Sequence, residues 1–255
     1  MYRSTNDILI VGYGNIGKHI HNELNVAGTI KIYDKFIPQY AKNDKGHYKI
    51  AFICVPTEML PDGSCDDSIV YDTVSKINAD VIVVKSTVPV GTCDKLVSIT
   101  DKHIVFSPEY YGTTQHAPQS PDFLVLAGDP ADCDVVAEYY YKVKTRSFRI
   151  HYTDYKTAEL AKYMENCFLA LKVTFCAEFA TIADDFGISY PKLREIFVLD
   201  DRMGDSHTFI SSDKPYYNSH CLNKDVPGLI AQTDKAHLME AMDHINHLKK
   251  ENKKY

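Results

Sequence analysis

Short apolar runs alternate with amphipathic segments along the first part of the chain, up to about residue 150. Six apolar runs have the length of buried strands: DILIVG, TIKIYD, YKIAFICV, DVIVVKS, KHIVFS and DFLVLAG. Segments with helical periodicity lie between them, such as NIGKHIHNEL, DDSIVYDTVSKI and DPADCDVVAEYYYKV. This alternation predicts a parallel sheet that is covered by helices on both faces.

The pattern changes after FRIHYTD. One helical periodicity runs from about Thr157 to Phe186 without Gly or Pro, which is too long for a crossover helix. YPKLREIFVL predicts another helix, and a last helix is predicted to begin at Val226 and to continue into HINHLKKENKKY. We therefore predict two domains, an α/β domain over residues 1–152 and an all-helical domain with a long central helix over residues 153–255.

A Gly-rich turn joins the first predicted strand to the first predicted helix. Gly12, Gly14 and Gly17 form G-x-G-x-x-G, which permits a tight turn and a close approach of a pyrophosphate to the helix N-terminus. Asp34 ends the second strand, where an acid binds the ribose hydroxyls of an adenosine; a carboxylate there favours NAD because it repels a 2′-phosphate. The sequence therefore predicts a Rossmann-type, doubly wound parallel sheet that binds NAD.

Composition excludes several classes of protein. The chain has 255 residues, of which 45% are hydrophobic, and its net charge of -6 gives no footprint of nucleic-acid binding. We find no signal-peptide pattern and no apolar run long enough to span a bilayer. An odd number of cysteines, 7, without any C-x-x-C indicates reduced thiols in the cytoplasm. We therefore expect a cytoplasmic protein with neither a nucleic-acid nor a membrane partner, and with no metal site.

Cys221 has unusual neighbours for a packing residue. Asp225 is predicted to be the N-cap of the last helix, with Val226-Pro227 in its first turn. The thiol would then lie in the approach to a helix N-terminus, between His220 and Lys224. Such an electropositive setting lowers the pKa of a thiol and favours the nucleophilic thiolate. The other cysteines lack this setting.

Three further motifs carry candidate chemistry. Lys162 and Asn166 share one face of the long helix, where an ammonium and an amide can stabilise an oxyanion or pass a proton. By itself such a pair is also typical of a solvated helix face. KSTVPVGT places Thr87, and FSPEYYG places Glu109, beyond the carboxyl ends of strands, where open α/β sheets bind ligands. Glu109 is either a surface acid or a base that activates water.

Together these motifs resemble the UDP-glucose/GDP-mannose dehydrogenase family, whose members use NAD to oxidise a nucleotide sugar to its uronic acid. The resemblance runs in order through GYGNIG, AFICVPTE, VVKSTVPVGT, FSPEYYG, AELAKYMENCFLALKVTFCAEFA, DDRMG and CLNKD. It implies oxidation of the C6 alcohol of a UDP-glucose-like substrate by two hydride transfers. Cys221 would carry the thiohemiacetal and the thioester. The resemblance also implies a homodimer that forms through the long helix.

The resemblance also assigns roles to single residues. Lys162 and Asn166 would hold the C6 oxygen, Asp225 and Glu109 would handle protons through water, and Thr87 would position water and nicotinamide. The substrate-binding residues it implies are Glu109, Lys162, Asn166, Arg202 and Cys221. The cofactor-binding residues are Gly12, Gly14, Asn15, Ile16, Gly17, Asp34, Lys35, Val55, Pro56, Thr57, Ser86 and Thr87.

Several positions depart from the family pattern. Asn218-Ser219 replaces a Gly-Gly pair, Asn223 replaces a Pro, and Thr113 stands where a second Glu is expected. Residues 34–48 are too few for the usual helix and third strand, and the family's nucleotide-gripping third domain has no counterpart before Tyr255. These departures suggest a minimal enzyme, one part of a split enzyme, or a relative with another substrate.

Two other interpretations stay open. The β-hydroxyacid dehydrogenases share a Rossmann domain, a helical domain and a Lys-x-x-x-Asn pair, but their chemistry has no use for a nucleophilic Cys. A non-catalytic NAD-binding partner subunit is the second. Retention of Lys162, Asn166, Cys221 and Asp225 together argues against it.

Overall fold

The computed structural model describes residues 7–42, 46–111 and 121–251. They form two compact units. The first takes the described residues of Met1–Glu58, Asp66–Tyr111 and Pro118–Lys162, and the second takes mainly Met59–Cys65 and those of Tyr163–Tyr255. The domain boundary between residues 152 and 153 stays a prediction.

A seven-stranded sheet forms the centre of the first unit, in the order β2-β1-β3-β6-β7-β8-β9. The strands of the chain are β1 (Ile8–Val11), β2 (Ile30–Tyr33), β3 (Tyr48–Ile53), β4 (Glu58–Met59), β5 (Cys65–Asp66), β6 (Ala79–Val84), β7 (Ile104–Phe106), β8 (Phe123–Gly128) and β9 (Arg149–Thr153). Strands β4 and β5 form a separate pair. Strand β1 lies parallel between β2 and β3, with Ile8 opposite both Ile30 and Ile50.

Helices cover both faces of this sheet, because successive side chains of a strand point to opposite faces. The helices are α1 (Asn15–Leu24), α2 (Ser68–Lys76), α3 (Thr92–Ile99) and α4 (Pro130–Tyr141), with a 3-10 turn at Pro38–Tyr40. Ile10 and Phe52 pack on the side of α1 and α4, whereas Val11 and Ile53 pack on the side of α2 and α3. The predicted doubly wound α/β class is confirmed.

The far edge of the sheet corrects one detail of that prediction. Strands β2, β1, β3, β6 and β7 are parallel, but β8 is antiparallel to β7, and β9 is parallel to β8. Antiparallel neighbours need no crossover helix, and residues 107–111 and 121–122, the described part of the β7–β8 connection, contain none. Helix α4 then makes the crossover from β8 to β9.

The second unit is helical, as predicted. Its elements are most of α5 (Tyr155–Asp185), then α6 (Tyr190–Phe197), α7 (His220–Ile230) and α8 (His237–Lys250). Cys167 and Ala170 of α5 form a buried cluster with Tyr217, Leu222 and Met242. This apolar contact joins α5 to the two C-terminal helices.

The predicted single last helix from Val226 is wrong. Two helices occupy this region, and the first of them begins at His220, because the Ser219 hydroxyl accepts a hydrogen bond from the Leu222 N–H at 3.2 Å. Asp225 is therefore not an N-cap, and Pro227 lies inside α7. The predicted end of the last helix, residues 252–255, lies outside the described residues.

Helix α5 also corrects the expectation about apolar segments. By length and composition it could cross a membrane, with a mean hydropathy of 1.4 over its most apolar window, of which 39% is buried. The core helix of a soluble protein passes the same test, and so this property is weak evidence for a membrane.

Candidate functional site

The Gly-rich turn brings backbone close to backbone between β1 and α1. Gly12 has a φ of +88°, and a Cβ there would stand 2.5 Å from the Cys54 carbonyl oxygen. A Cβ on Gly14, the N-cap of α1, would meet no atom of the described residues within 4 Å. The turn therefore needs glycine for its shape at the first position and leaves open space at the helix N-terminus at the second, as a bound pyrophosphate requires.

Asp34 stands at the carboxyl end of β2 beside this turn. Its Oδ2 accepts the Tyr13 N–H at 2.7 Å and its Oδ1 accepts the Phe36 N–H at 2.9 Å. These two bonds fix the carboxylate, and each oxygen keeps a lone pair that can accept a ribose hydroxyl. The carboxylate is thus held at the position where the sequence predicts an acid that binds the ribose hydroxyls of NAD.

A groove of about 320 Å³ opens beside Asp34. The predicted residues that line it are Gly12, Asp34, Lys35, Val55 and Pro56. Its other wall was not predicted, and α2 and the next residue supply it through Ile69, Asp72, Thr73, Lys76 and Ile77. The signal for this wall is the amphipathic periodicity of DDSIVYDTVSKI, which by itself indicates only packing. Groove, turn and carboxylate together fit the adenosine half of NAD.

The loops after β3 and β6 are joined by hydroxyl groups. Thr57 donates its hydroxyl to the Thr87 carbonyl oxygen at 2.8 Å, and Ser86 donates to the Val55 carbonyl oxygen at 2.6 Å. The buried Thr57 and the half-buried Ser86 therefore hold the loops together. Through them Thr87 is placed at the carboxyl edge of the sheet.

Glu159 of α5 holds the other end of the Thr87 loop, a contact that was not predicted. Its fully buried carboxylate accepts the N–H groups of Gly91 at 2.6 Å and of Cys93 at 2.9 Å. Burial raises the pKa of Glu159 even though the two N–H donors lower it. The start of α3 is thereby tied to the helix that carries Lys162.

Glu109 follows β7, and its side chain is 9% exposed. Its Oε1 accepts the N–H groups of Tyr110 at 3.0 Å and of Tyr111 at 2.9 Å, and its Oε2 lies 3.4 Å from Lys85 Nζ. Burial alone would raise the pKa of Glu109, but Lys85, His19 and the two N–H donors outweigh it and hold that pKa below its ordinary value. Glu109 is thus a buried carboxylate that stays ionised near neutral pH.

Lys162 lies near the loop that carries Glu109. Its ammonium stands 4.8 Å from the centre of the Tyr110 ring, in a cation–π contact, and the residue is buried. Asn166 follows one turn later on α5 and is buried as well. The burial of both predicted oxyanion partners argues against a solvated helix face.

Asn166 and Asp225 form a buried pair in the second unit. Asn166 Nδ2 donates to Asp225 Oδ2 at 2.6 Å, and Lys224 Nζ donates to Asp225 Oδ1 at 2.5 Å. The side chain of Asp225 is almost fully enclosed. The structure thus brings together two predicted site residues that are far apart in the sequence.

Cys221 lies in the first turn of α7 rather than in the approach to a helix, which corrects the predicted position. Asp225 comes four residues later, so the thiol and the carboxylate lie on one side of α7. Of the seven cysteines, all of which lie in the described part, Cys221 alone is exposed. Burial raises the pKa of Cys54 to about 12 and that of Cys167 to about 12, which disfavours a thiolate at either position.

Arg202 lies in an exposed turn after α6. Its guanidinium binds the Asp200 carboxylate, with Nε at 3.0 Å from Oδ1, and most of its side chain is exposed. Its contact with substrate stays a prediction. Thr113 lies outside the described residues. Among the residues that are described, no group of three or more His, Cys, Asp or Glu could hold a metal ion.

The outer face of α5 carries a row of exposed apolar side chains. They recur at helical spacing, within one narrow stripe of the helix surface. The residues of this stripe are Met164, Phe168, Phe175, Phe179 and Ile182 of α5, together with Phe186, which directly follows the helix. Met164 is 73% exposed and Phe186 is 76% exposed, values that are unusual for such large apolar side chains.

Two family models match the chain. Residues 35–142 match the NAD binding domain of the UDP-glucose/GDP-mannose dehydrogenase family, and residues 156–253 match the central domain of the same family. Together these matches span most of the chain.

Curated relatives give a concordant result. A UDP-glucose 6-dehydrogenase of Rhizobium meliloti is 32% identical over 225 residues, which are 81% of this chain and 50% of the relative. A UDP-N-acetyl-D-mannosamine dehydrogenase of Methanococcus vannielii is 28% identical over 210 residues, 76% of this chain and 47% of the relative. The chain spans about half the length of the curated relatives it matches.

Two solved structures share the fold at low sequence identity. The UDP-glucose dehydrogenase of Pyrobaculum islandicum has a TM-score of 0.79 at 20% identity, covering 95% of this chain and 68% of that chain. The 3-hydroxyisobutyrate dehydrogenase of Mycobacterium tuberculosis has a TM-score of 0.65 at 16% identity, covering 97% of this chain and 94% of that chain.

Proposed function

Because this chain belongs to the UDP-glucose/GDP-mannose dehydrogenase family, we propose that it oxidises the C6 alcohol of a nucleotide sugar, of the UDP-glucose type, to the carboxylate. The observation that carries the proposal is the buried Asn166–Asp225 pair beside an exposed Cys221 on α7. This combination supplies a nucleophile and a proton acceptor on one side of a helix. A dehydrogenase that stops at a carbonyl needs no such nucleophile.

NAD is the cofactor of the reaction. The first turn of α1 would hold its pyrophosphate through Gly12, Gly14, Asn15, Ile16 and Gly17, and Asp34 and Lys35 would face its adenosine ribose. Val55, Pro56, Thr57 and Ser86 would line the cofactor groove, and Thr87 would position the nicotinamide. When bound, NAD supplies the hydride acceptor for both oxidations.

Cys221 acts as the covalent catalyst in this proposal. After the first oxidation its sulfur bonds to the aldehyde carbon, and the thiol proton passes to the aldehyde oxygen, which gives a thiohemiacetal. Oxidation of this adduct leaves a thioester. Water then adds at the carbonyl carbon and the C–S bond breaks, which releases the carboxylate and restores the thiol. The aldehyde is never released.

The polar side chains divide the remaining work. Lys162 and Asn166 donate to the C6 oxygen, which carries negative charge in each oxidation. Asp225, whose oxygens accept from Asn166 and Lys224, takes the proton of the alcohol through water. Glu109 takes a proton from the water that cleaves the thioester. Arg202 would contact the substrate.

We also propose that two copies of the chain associate through the apolar stripe of α5. Its six large apolar side chains on one narrow face would be buried by a second copy of the same helix. In this proposal the protein is cytoplasmic, in keeping with seven cysteines that are all thiols.

A second candidate function is supported by the fold. The Mycobacterium tuberculosis 3-hydroxyisobutyrate dehydrogenase is covered over 94% of its length, so the two units of this chain would suffice for an enzyme of that size. A substrate of this class would be a small hydroxy acid, and its oxidation would not need Cys221. A non-catalytic NAD-binding subunit is the third interpretation.

Steady-state NADH formation by the purified chain separates these candidates. UDP-sugars, GDP-sugars and small 2- and 3-hydroxy acids are compared, and the ratio of NADH to carboxylate is measured for each. The proposal requires two NADH for every uronate formed. Turnover of a hydroxy acid at one NADH, unaffected by Cys221→Ala, would replace it with the second candidate. NAD binding without any turnover would favour the third.

A further inference from the structure

A lysine at the end of β6 is almost completely buried. The side chain of Lys85 is 1% exposed, and the residue follows directly after Val84 in the middle of the sheet. Its ammonium donates to the Ser107 hydroxyl at 3.3 Å and lies 3.4 Å from Glu109 Oε2. Fully buried lysines are rare in proteins unless they are paired.

The pair with Glu109 joins the ends of neighbouring strands. Lys85 follows β6 and Glu109 follows β7, and these strands lie side by side in the sheet. The other oxygen of Glu109 is held by two consecutive backbone N–H groups. One oxygen of Glu109 is therefore fixed by its own loop, and the other is fixed by the cation of the adjacent strand.

A small cavity of about 10 Å³ adjoins the pair. The Tyr140 hydroxyl is buried and makes no hydrogen bond to any described residue. The other titratable groups facing this region are His19 and Glu23 of α1, Cys54 after β3, Tyr110, and Tyr111, which stacks on His19. Glu23 is itself paired with Lys144.

We propose that Lys85 is a positioning residue of the reaction: its buried ammonium keeps Glu109 ionised and fixes Oε2, so that Glu109 can take a proton from the water that cleaves the thioester. This role rests on the proposed function. Lys85 itself touches neither sugar nor cofactor in this scheme. Without this cation, burial would raise the pKa of Glu109, so that a larger fraction of the carboxyl group would be protonated at a given pH, and a protonated Glu109 cannot act as a base.

The test substitutes Lys85→Met in the full chain and follows the ionisation of Glu109 directly. Infrared difference spectra of the carboxyl band, assigned with Glu109→Gln, give the pKa of Glu109 without any turnover. We expect Lys85→Met to raise that pKa by about 1–3 units, the usual effect of removing an opposite charge at this distance. The acidic limb of the pH profile of kcat/KM should move upward by the same amount.

Two variants provide the controls. Lys49→Met removes an exposed lysine of β3 that pairs with Asp7 at 3.4 Å, and it should shift neither quantity. Lys85→Arg retains the charge and should keep the Glu109 pKa low even where packing lowers the rate. A uniform loss of kcat at all pH values in Lys85→Met, with an unshifted limb, would mean a merely structural role and overturn the proposal.

The infrared titration of Glu109 tests the role of Lys85 even if the protein shows no turnover. Absence of uronate formation would defeat the proposed function, while the Glu109 titration would still report whether Lys85 controls its charge. Should Lys85→Met not fold, the parent protein alone decides. A Glu109 pKa at or above the ordinary value of about 4.3 would show that Lys85 does not hold the carboxylate ionised.

Discussion

The two candidate proton-handling carboxylates, one in each unit, are held in different ways. Glu109 is fixed by two N–H groups of its own loop and by a lysine at the end of the neighbouring strand. Asp225 is held, among the described residues, by the side chains of Asn166 of α5 and of the adjacent Lys224. Strand-end geometry therefore prescribes the first position, whereas the second depends on how two helices pack. Sites of the second kind should be more sensitive to single side-chain changes.

The largest effect is expected at Cys221. Cys221→Ala removes the only sulfur that the proposal uses, so uronate formation should fall at least about 10³-fold, as is typical for loss of a nucleophile. NAD affinity should not change, because the cofactor residues lie in the other unit. Uronate assay and calorimetry measure the two quantities. Cys65→Ala is the matched control, and equal losses in both variants would contradict the assignment.

Asn166→Asp should disrupt the contacts by which side chains hold Asp225. It replaces the donor 2.6 Å from Asp225 Oδ2 with a second carboxylate in a buried position. Two such carboxylates cannot both ionise, so one acquires a pKa above its unfolded value. A carboxyl group whose pKa is raised in the folded state favours that state at low pH. This contribution to the free energy of unfolding is lost as the pH rises through the raised pKa.

We therefore expect Asn166→Asp to cost about 3 kcal/mol of unfolding free energy at pH 8 and distinctly less at pH 5. Urea denaturation at the two pH values measures this difference. Asn218→Asp, an exposed change just before α7, should show little loss at either pH. A loss in Asn166→Asp that is the same at pH 5 and pH 8 would show that the carboxylates do not interact.

Two glycine variants test the part of the site that depends on backbone geometry. Gly12→Ala forces a Cβ to within 2.5 Å of the Cys54 carbonyl oxygen at a φ of +88°, and should destabilise the protein by about 2 kcal/mol. Gly14→Ala meets open space and should leave the melting temperature unchanged while weakening NAD binding. Thermal melts and calorimetry test both. An equal loss of stability in both variants would refute the distinction.

The smallest effect concerns the choice of cofactor. The Asp34 carboxylate should make NAD bind at least about tenfold more tightly than NADP, equivalent to about 1.4 kcal/mol. Asp34→Asn should bring the affinities for NAD and NADP closer together. Asp72→Asn, which alters another acid of the same groove, should leave the ratio of these affinities unchanged. Calorimetric titration measures both affinities, and equal binding of the two cofactors by the parent protein would remove Asp34 from this role.

Much of the first unit could be predicted because its signals are local. Apolar runs, the turn glycines and Asp34 each indicate the local backbone conformation within a few residues. The sheet is predicted from the alternation of apolar runs with helical segments. The reversed strand β8 could not be predicted in this way, because strand direction depends on a connection rather than on the strand itself.

The second unit was harder to predict. Asp225 and Ser219 are both good N-caps, and the choice of Ser219 follows from the burial of Asp225 against Asn166, which no local pattern reports. The contacts of Lys85 and Glu159 in the first unit were not predicted for the same reason. Each is a charged residue in an otherwise apolar environment, and its partner lies on another element.

The unequal exposure of the cysteines bears on oxidative damage. Cys93 and Cys133 are both buried, and burial raises the pKa of Cys93 well above its ordinary value and that of Cys133 to about 11, so access and protonation both protect these thiols from peroxide. Cys221 is exposed and meets an oxidant first. Under the proposed mechanism, a sulfenic acid formed there would stop the covalent step, while the packed thiols, and with them the fold, stay intact. Because small thiols return a sulfenic acid to the thiol, we expect mild oxidation to stop the proposed reaction reversibly rather than to unfold the protein.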